Sequence, residues 1–261
     1  MKVGLIQMEV IAGDVVKNRQ KAFSMMERAV EQGCQLLVLP EIWTIGYALK
    51  NIFELAETIQ GQTICSLQSF AREKTIEIVT GSLPILENGK VFNNAFFINK
   101  LGAITASYRK IHLFSLMGEE RFFQPGDKPV FFDMACGGKA SMVICYDIRF
   151  PELVRTVALG GAQILFVPAE WPSLRGDHWR ALNIARAIEN QMFVIAVNCV
   201  GQHRENVFYG HSLVIDPWGQ ILVEGSDEEA VLTAVMDTAL VEEVRSKMPI
   251  FTDRRSDVYT C

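Results

Sequence analysis

The sequence has few cysteines, few histidines and no long uncharged apolar run, and each shortage removes a class of protein. Its six cysteines (Cys34, Cys65, Cys136, Cys145, Cys199 and Cys261) include no CxxC pair. In a chain of this size they read as reduced thiols rather than a disulfide framework. His112, His178, His203 and His211 form no HxxxH pair and no Cys-His set, which predicts no metal site. No stretch approaches the roughly 18 apolar residues of a membrane span. The N-terminal MKVGLIQMEV lacks a long apolar core followed by a cleavage site, so no signal peptide and a cytoplasmic location are expected. Positive charge is also scarce. Twenty-five Lys and Arg stand against 30 Asp and Glu, for a net charge of -5, and the basic residues are scattered. That predicts neither a nucleic-acid nor a membrane partner. GxSxG, GxGxxG and Walker strings are missing, which disfavours serine hydrolase, dinucleotide-binding and P-loop chemistry.

What is present is a run of apolar segments joined by turn signals. No Pro/Gly/Ser linker divides residues 1–261, and 49% hydrophobic content allows one sizeable core, so a single domain is expected. Strands are predicted at 2–8, 35–39, 76–82, 91–99, 104–110, 141–145, 163–167, 192–199, 211–215, 220–223 and 230–236. Helices are predicted at 16–32, 63–74, 151–159, 177–190 and 240–247. Asp14 can cap the first helix, with Phe23, Met26 and Val30 on one face and Gly33 just past its end. Glu87-Asn88-Gly89 and Leu101-Gly102 are hairpin signals. A polar, turn-rich stretch fills 115–128. Continuous apolar runs such as Gln35 to Leu39 suit strands buried on both faces, and the mixture of βαβ units with hairpins predicts a layered α/β architecture.

Several apolar runs end in a chemically useful side chain. Leu39-Pro40-Glu41 delivers a carboxylate, Arg109-Lys110-Ile111 an ammonium, and Ile144-Cys145-Tyr146-Asp147 a thiol. A nucleophilic thiol needs a base and positive charge nearby, and Glu41 and Lys110 could supply them. Cys145 stands where a strand turns into a helix, an elbow expected to expose the thiol near helical amides that favour thiolate. The plainer alternatives are a packing cysteine, a loop glutamate and a surface lysine. Ligands of open α/β sheets bind outside the carboxyl ends of strands, so Glu41, Cys145 and Glu170 could converge on one cleft. Glu170, just past Pro168, could instead be a structural carboxylate paired with an arginine. Trp171, Trp179 and Trp218 could line a pocket or simply pack.

The blocks Leu39-Pro40-Glu41, Tyr108 to Phe114 and Cys145-Tyr146-Asp147-Ile148-Arg149-Phe150-Pro151-Glu152-Leu153 resemble, in order and spacing, the three signatures of the nitrilase superfamily of carbon–nitrogen hydrolases. The likeness runs from Met1 to about Pro249. It implies a four-layer α-β-β-α sandwich with Glu41 as general base, Lys110 as oxyanion stabiliser and Cys145 as nucleophile, needing no cofactor. It also implies an assisting glutamate. Of the adjacent Glu119 and Glu120, Glu119 has the offset from Pro125 expected of relatives. The backbone N–H of Tyr146 would join Lys110 in holding the oxyanion. The Cys-Tyr-Asp-x-Arg-Phe-Pro-Glu string resembles the amidase branch rather than true nitrilases. The segments 112–119, 169–172 and 177–179 look closest to omega-amidases of 2-oxo acid amides; an amidase of deaminated glutathione or another N-acyl or carbamoyl compound is the alternative. A non-catalytic binding protein on the same fold would be expected to have lost one of Glu41, Lys110 and Cys145. For an omega-amide substrate, Arg175 in the loop after Trp171 could clamp the far carboxylate, or be an exposed loop arginine. The resemblance further implies a homodimer through the helices after Cys145 and Glu170, with a tail from about 249 to 261 at the interface.

Overall fold

The structure, a computed structural model, describes residues 1–259, so Cys261 and the tip of the 249–261 tail lie outside the described residues. Two six-stranded sheets stack face to face. The first is built from β1 (Lys2–Gln7), β2 (Leu36–Val38), β3 (Glu77–Glu87), β4 (Lys90–Ile98) and β5 (Ile104–Arg109). The second contains β6 (Phe132–Asp133), β7 (Lys139–Met142), β8 (Ile164–Ala169) and β9 (Phe193–Asn198). After a small hairpin of β10 (Gln202–His203) and β11 (Asn206–Val207), β12 (Leu213–Ile215) and β13 (Ile221–Glu224) complete the second sheet. The chain then returns to the first sheet through β14 (Ala230–Val235), antiparallel to β1. The orders are β14-β1-β2-β3-β4-β5 and β13-β12-β9-β8-β7-β6.

Helices α1 (Val15–Glu31) and α3 (Gln62–Lys74) cover the outer face of the first sheet; α4 (Pro151–Leu159) and α5 (Gly176–Asn190) cover that of the second. Two further helices are α2 (Ile52–Leu55) and α6 (Ala239–Lys247), the latter burying Val241 and Val244. The result is an α-β-β-α sandwich. Its layering explains the continuous apolar runs: in β2, Leu36 and Val38 face the core between the sheets, while Leu37 packs with Leu39 in the core under α1 and α3. Both faces of the strand are covered, so neither can be polar.

Several boundaries differ from the sequence reading for local reasons. Asp14 does cap α1, accepting from the Lys17 N–H at 3.1 Å, but the buried stripe is Ala22, Met25, Met26 and Ala29, with Phe23 and Val30 at its edges. β3 runs to Glu87, because Asn88 and Gly89 at φ +51° and +74° form a tight hairpin that keeps the ladder paired to its tip. β7 ends at Met142 rather than 145, since the chain must leave the ladder to make the turn at Cys145. The short α2, β6, β10 and β11 carry no periodicity long enough to read from sequence.

Candidate active site

The carboxyl end of β2 meets that of β8. Glu41 N–H reaches the Ala169 carbonyl at 3.4 Å, and the Glu170 N–H donates to Glu41 Oε2 at 2.9 Å. The turn that carries Glu41 is seated on a bulge in β3: the Ser82 N–H donates to the Pro40 carbonyl at 3.0 Å and the Ile42 N–H to Ser82 Oγ at 3.0 Å. Gly81, at φ +65°, is part of that seat, because a Cβ there would lie 2.0 Å from the Pro40 oxygen. Lys110 follows β5 directly, its N–H bonded to the Asn93 carbonyl at 2.9 Å.

Glu41 and Lys110 from these strand ends and Glu119 from the short 3-10 turn Glu119–Arg121 converge as three fully buried charged groups. Lys110 Nζ lies 2.8 Å from Glu41 Oε1 and 2.8 Å from Glu119 Oε2. Asn93 Nδ2 donates to the same Glu41 oxygen at 2.8 Å. Glu119 also accepts from Tyr47 O–H at 2.8 Å and from the Phe114 N–H at 3.0 Å. Burial alone would favour a neutral lysine, but Glu119 and then Glu41 outweigh it and hold the Lys110 pKa well above its ordinary value. Burial raises Glu119, with Lys110 opposing. Burial, then Glu119 and Glu41, keep the Tyr47 phenol protonated, so it can only donate here. Of the two adjacent glutamates, Glu119 is the one turned inward; Glu120 is exposed beside Arg121.

Cys145 sits at the expected elbow, at φ +46°, at the start of a 3-10 turn (Cys145–Arg149) that leads into α4. The thiol is not exposed, contrary to expectation: the residue is 4% exposed and belongs to the core. Nor is thiolate favoured at rest. Burial, then Glu41, push the thiol well above its ordinary pKa, and Lys110 offsets only part of this. The turn is fastened by Asp147, a buried carboxylate not singled out from sequence. It accepts from Tyr108 O–H at 2.7 Å, from the His112 and Ile144 N–H groups at 2.8 and 3.0 Å, and from His112 Nδ1 at 2.8 Å. His112 in turn stacks on Phe150 at 3.6 Å. One acid thus ties together the loop after Lys110 and the turn that carries Cys145.

The thiol opens on a small pocket lined by Tyr146, Arg149, Glu170, Trp171 and Arg175. All four residues expected to contact substrate therefore border it. Trp171 lies under the Arg149 guanidinium at 4.5 Å, donates its indole N–H to the Arg175 carbonyl at 2.7 Å and receives support from Asn198 Oδ1, which accepts its backbone N–H at 2.6 Å. The Arg175 guanidinium is half-buried, 5.6 Å from the Phe114 ring centroid, rather than loose on the surface. The alternative of an arginine partner for Glu170 fails: among the described residues neither of its side-chain oxygens has a hydrogen-bond partner. Trp179 is core, and Trp218 is outside the pocket and 44% exposed. Sequence reasoning missed Arg149, Asp147, Asn93 and Tyr47. Arg149 and Asp147 stand inside the Cys145 block and could have been noticed there; Asn93 and Tyr47 sit in segments with no motif.

Known proteins match this arrangement over nearly the whole chain. The family model "Carbon-nitrogen hydrolase" matches residues 2–246. The chain is 43% identical to 2-oxoglutaramate amidase of Bacillus subtilis (strain 168) over 257 residues, 98% of each chain. It is 33% identical to human omega-amidase NIT2, covering 99% of this chain and 96% of that one. Among solved structures, a mutant amidase from Nesterenkonia sp. bearing the acetamide moiety of fluoroacetamide on its active-site cysteine superposes with a TM-score of 0.84 at 30% identity, over 96% of both chains. With the sandwich, the three strand-end blocks and a family match that covers most of its length, the chain belongs to the carbon-nitrogen hydrolase family.

Proposed function

We propose that this protein hydrolyses the omega-amide of a small 2-oxo acid to carboxylate and ammonia through a thioester on Cys145. Glu41 takes the thiol proton as sulfur attacks the amide carbon, and Lys110 with the Tyr146 N–H holds the developing oxyanion. The C–N bond breaks as Glu41 returns the proton to the leaving nitrogen. Water then gives a proton to the same carboxylate and attacks the thioester, releasing the acid and restoring the thiol. Glu119 shares Lys110 with Glu41 and so fixes the ammonium. The thiol protonated at rest suits this cycle, because deprotonation coincides with attack.

The observation that carries the substrate class is the pair of guanidiniums, Arg149 and Arg175, on the wall of the pocket that also holds Cys145. Two cations near the mouth of a small pocket favour a short substrate with a carboxylate opposite its amide. Similarity to 2-oxoglutaramate amidase and omega-amidase supports the same class. The test is ammonia release from 2-oxoglutaramate, 2-oxosuccinamate, deaminated glutathione and simple nitriles. The highest kcat/KM is expected for one of the two oxo-acid amides; a preference for deaminated glutathione or a nitrile would refute the assignment. We further propose that two copies pair through α4 and α5, where Leu159 and Ile188 leave apolar surface exposed, with the tail from 249 at the same interface.

A further inference from the structure

Glu170 is the buried carboxyl of the cleft that the cycle above does not use. It is 1% exposed, both side-chain oxygens lack a hydrogen-bond partner among the described residues, and the side chain lines the pocket beside Cys145. Its place is closely set. Its own N–H is bonded to Glu41 and the next N–H to Asn198.

Charge balance decides its protonation state. Glu41 and Glu119 already share Lys110. An ionised Glu170 would be a third buried anion around Lys110, and Arg149 and Arg175, which line the same pocket, make no hydrogen bond to either of its oxygens. Burial, reinforced by Glu41 and Glu119, accordingly raises its pKa well above the usual carboxylate range. A neutral carboxyl presents an O–H donor and a C=O acceptor side by side. The group that matches both at once is a primary carboxamide, whose oxygen accepts and whose N–H on the same side donates. A trans secondary amide has its N–H on the far side and a carbon substituent where the matching hydrogen would be. An ester has no N–H at all.

We infer that Glu170 pairs edge to edge with the scissile carboxamide, its O–H donating to the substrate carbonyl and its C=O accepting the neighbouring N–H, and so restricts the enzyme to primary amides. Pairing along the edge leaves the face of the amide open to the Cys145 sulfur. The inference rests on the amidase reading and adds the residue that selects the amide.

Glu170→Met and Glu170→Gln separate the possibilities when assayed on 2-oxoglutaramate, its N-methyl amide and the corresponding omega-methyl ester. Loss of both bonds in the Met variant should lower kcat/KM for the primary amide about 100-fold and for the ester about tenfold or less. Gln keeps a donor and an acceptor side by side, so it should stay within about tenfold of wild type on the primary amide. Equal losses on amide and ester, or a Gln variant as poor as Met, would overturn the pairing. An unchanged circular-dichroism spectrum and a cooperative thermal transition check that the variants retain their fold. Should Met fail that check, the infrared difference between wild type and Glu170→Gln still decides: a protonated-carboxyl band at neutral pH is expected, and carboxylate bands in its stead would end the proposal. A wild-type enzyme that releases no ammonia from any primary amide would instead refute the amidase reading, independently of the infrared result.

Discussion

At the scale of single residues, the cleft is governed by how few cations serve its acids. Lys110 compensates two buried carboxylates, so Lys110→Met should do more than lower kcat by about two to three orders of magnitude, the scale of a lost oxyanion donor. It leaves Glu41 and Glu119 facing each other uncompensated, and a loss of about 3 to 5 kcal/mol in stability is expected by urea denaturation. The sign with pH follows from linkage. A folded state that binds more protons than the unfolded one gains stability on acidification, so the deficit should shrink as the pH falls and the buried acids protonate. A deficit that does not vary with pH would mean the ammonium contributes packing alone. Cys145 offers a second titration. Because burial and then Glu41 raise its pKa, inactivation by iodoacetamide should keep accelerating with pH beyond the ordinary thiol value of about 8.5. A plateau near neutrality would reveal a preformed thiolate. At the mouth, Arg175→Lys gives up the planar fork, and KM for 2-oxoglutaramate should rise tenfold or more if a charge-assisted bond is worth about 1.5 to 3 kcal/mol. An uncharged amide of equal length should be turned over as before; equal effects on both would remove the clamp.

Among the elements, the irregular places do the positioning. Glu41 is set by the bulge in β3 between Val79 and Ser82, where Gly81 presses on the turn after β2. Gly81→Ala combines a disfavoured φ with a contact no backbone could keep, so it should cost at least about 2 kcal/mol and move Glu41 from its partners. The informative measurement is kcat alongside melting temperature; full activity in a folded variant would mean that the bulge does not hold the base. Asp147 plays the corresponding part for Cys145. Its four donors come from Tyr108 in β5, His112 in the loop after it and Ile144 at the elbow, so one carboxylate fastens the two catalytic segments to each other.

For the whole molecule, the sandwich brings the ends of strands from different sheets to one point. Neighbouring bonds such as Val200 N–H to the Met8 carbonyl at 3.0 Å tie the sheets together beside the cleft. α4 and α5 both touch the turn that carries Cys145, and α5 also touches the Ser173–Arg175 turn, so pairing two copies on these helices would brace the cleft. Sedimentation at micromolar concentration should give a dimer, and Ile188→Glu should yield a monomer with reduced kcat. A wild-type monomer with full activity would exclude a role for pairing.

How much of this was written in the chain differs by kind of feature. Apolar runs between turn signals determined the longer strands, because burial on both faces leaves no choice of residue, and one-sided apolar spacing with end signals determined the four covering helices. The strings ending in Glu41, Lys110 and Cys145 determined the chemistry on offer, since costly groups at the ends of apolar strands are informative without a structure. Other features depend on distances between segments far apart in sequence, and only the tertiary structure could decide them. Asn93 and Tyr47 join the site through contacts across 52 and 72 positions. The protonated Cys145 and the unpartnered Glu170 follow from how many charges share one buried volume and how completely water is excluded from it. No local pattern encodes that count; it is set when two sheets close over the same strand ends.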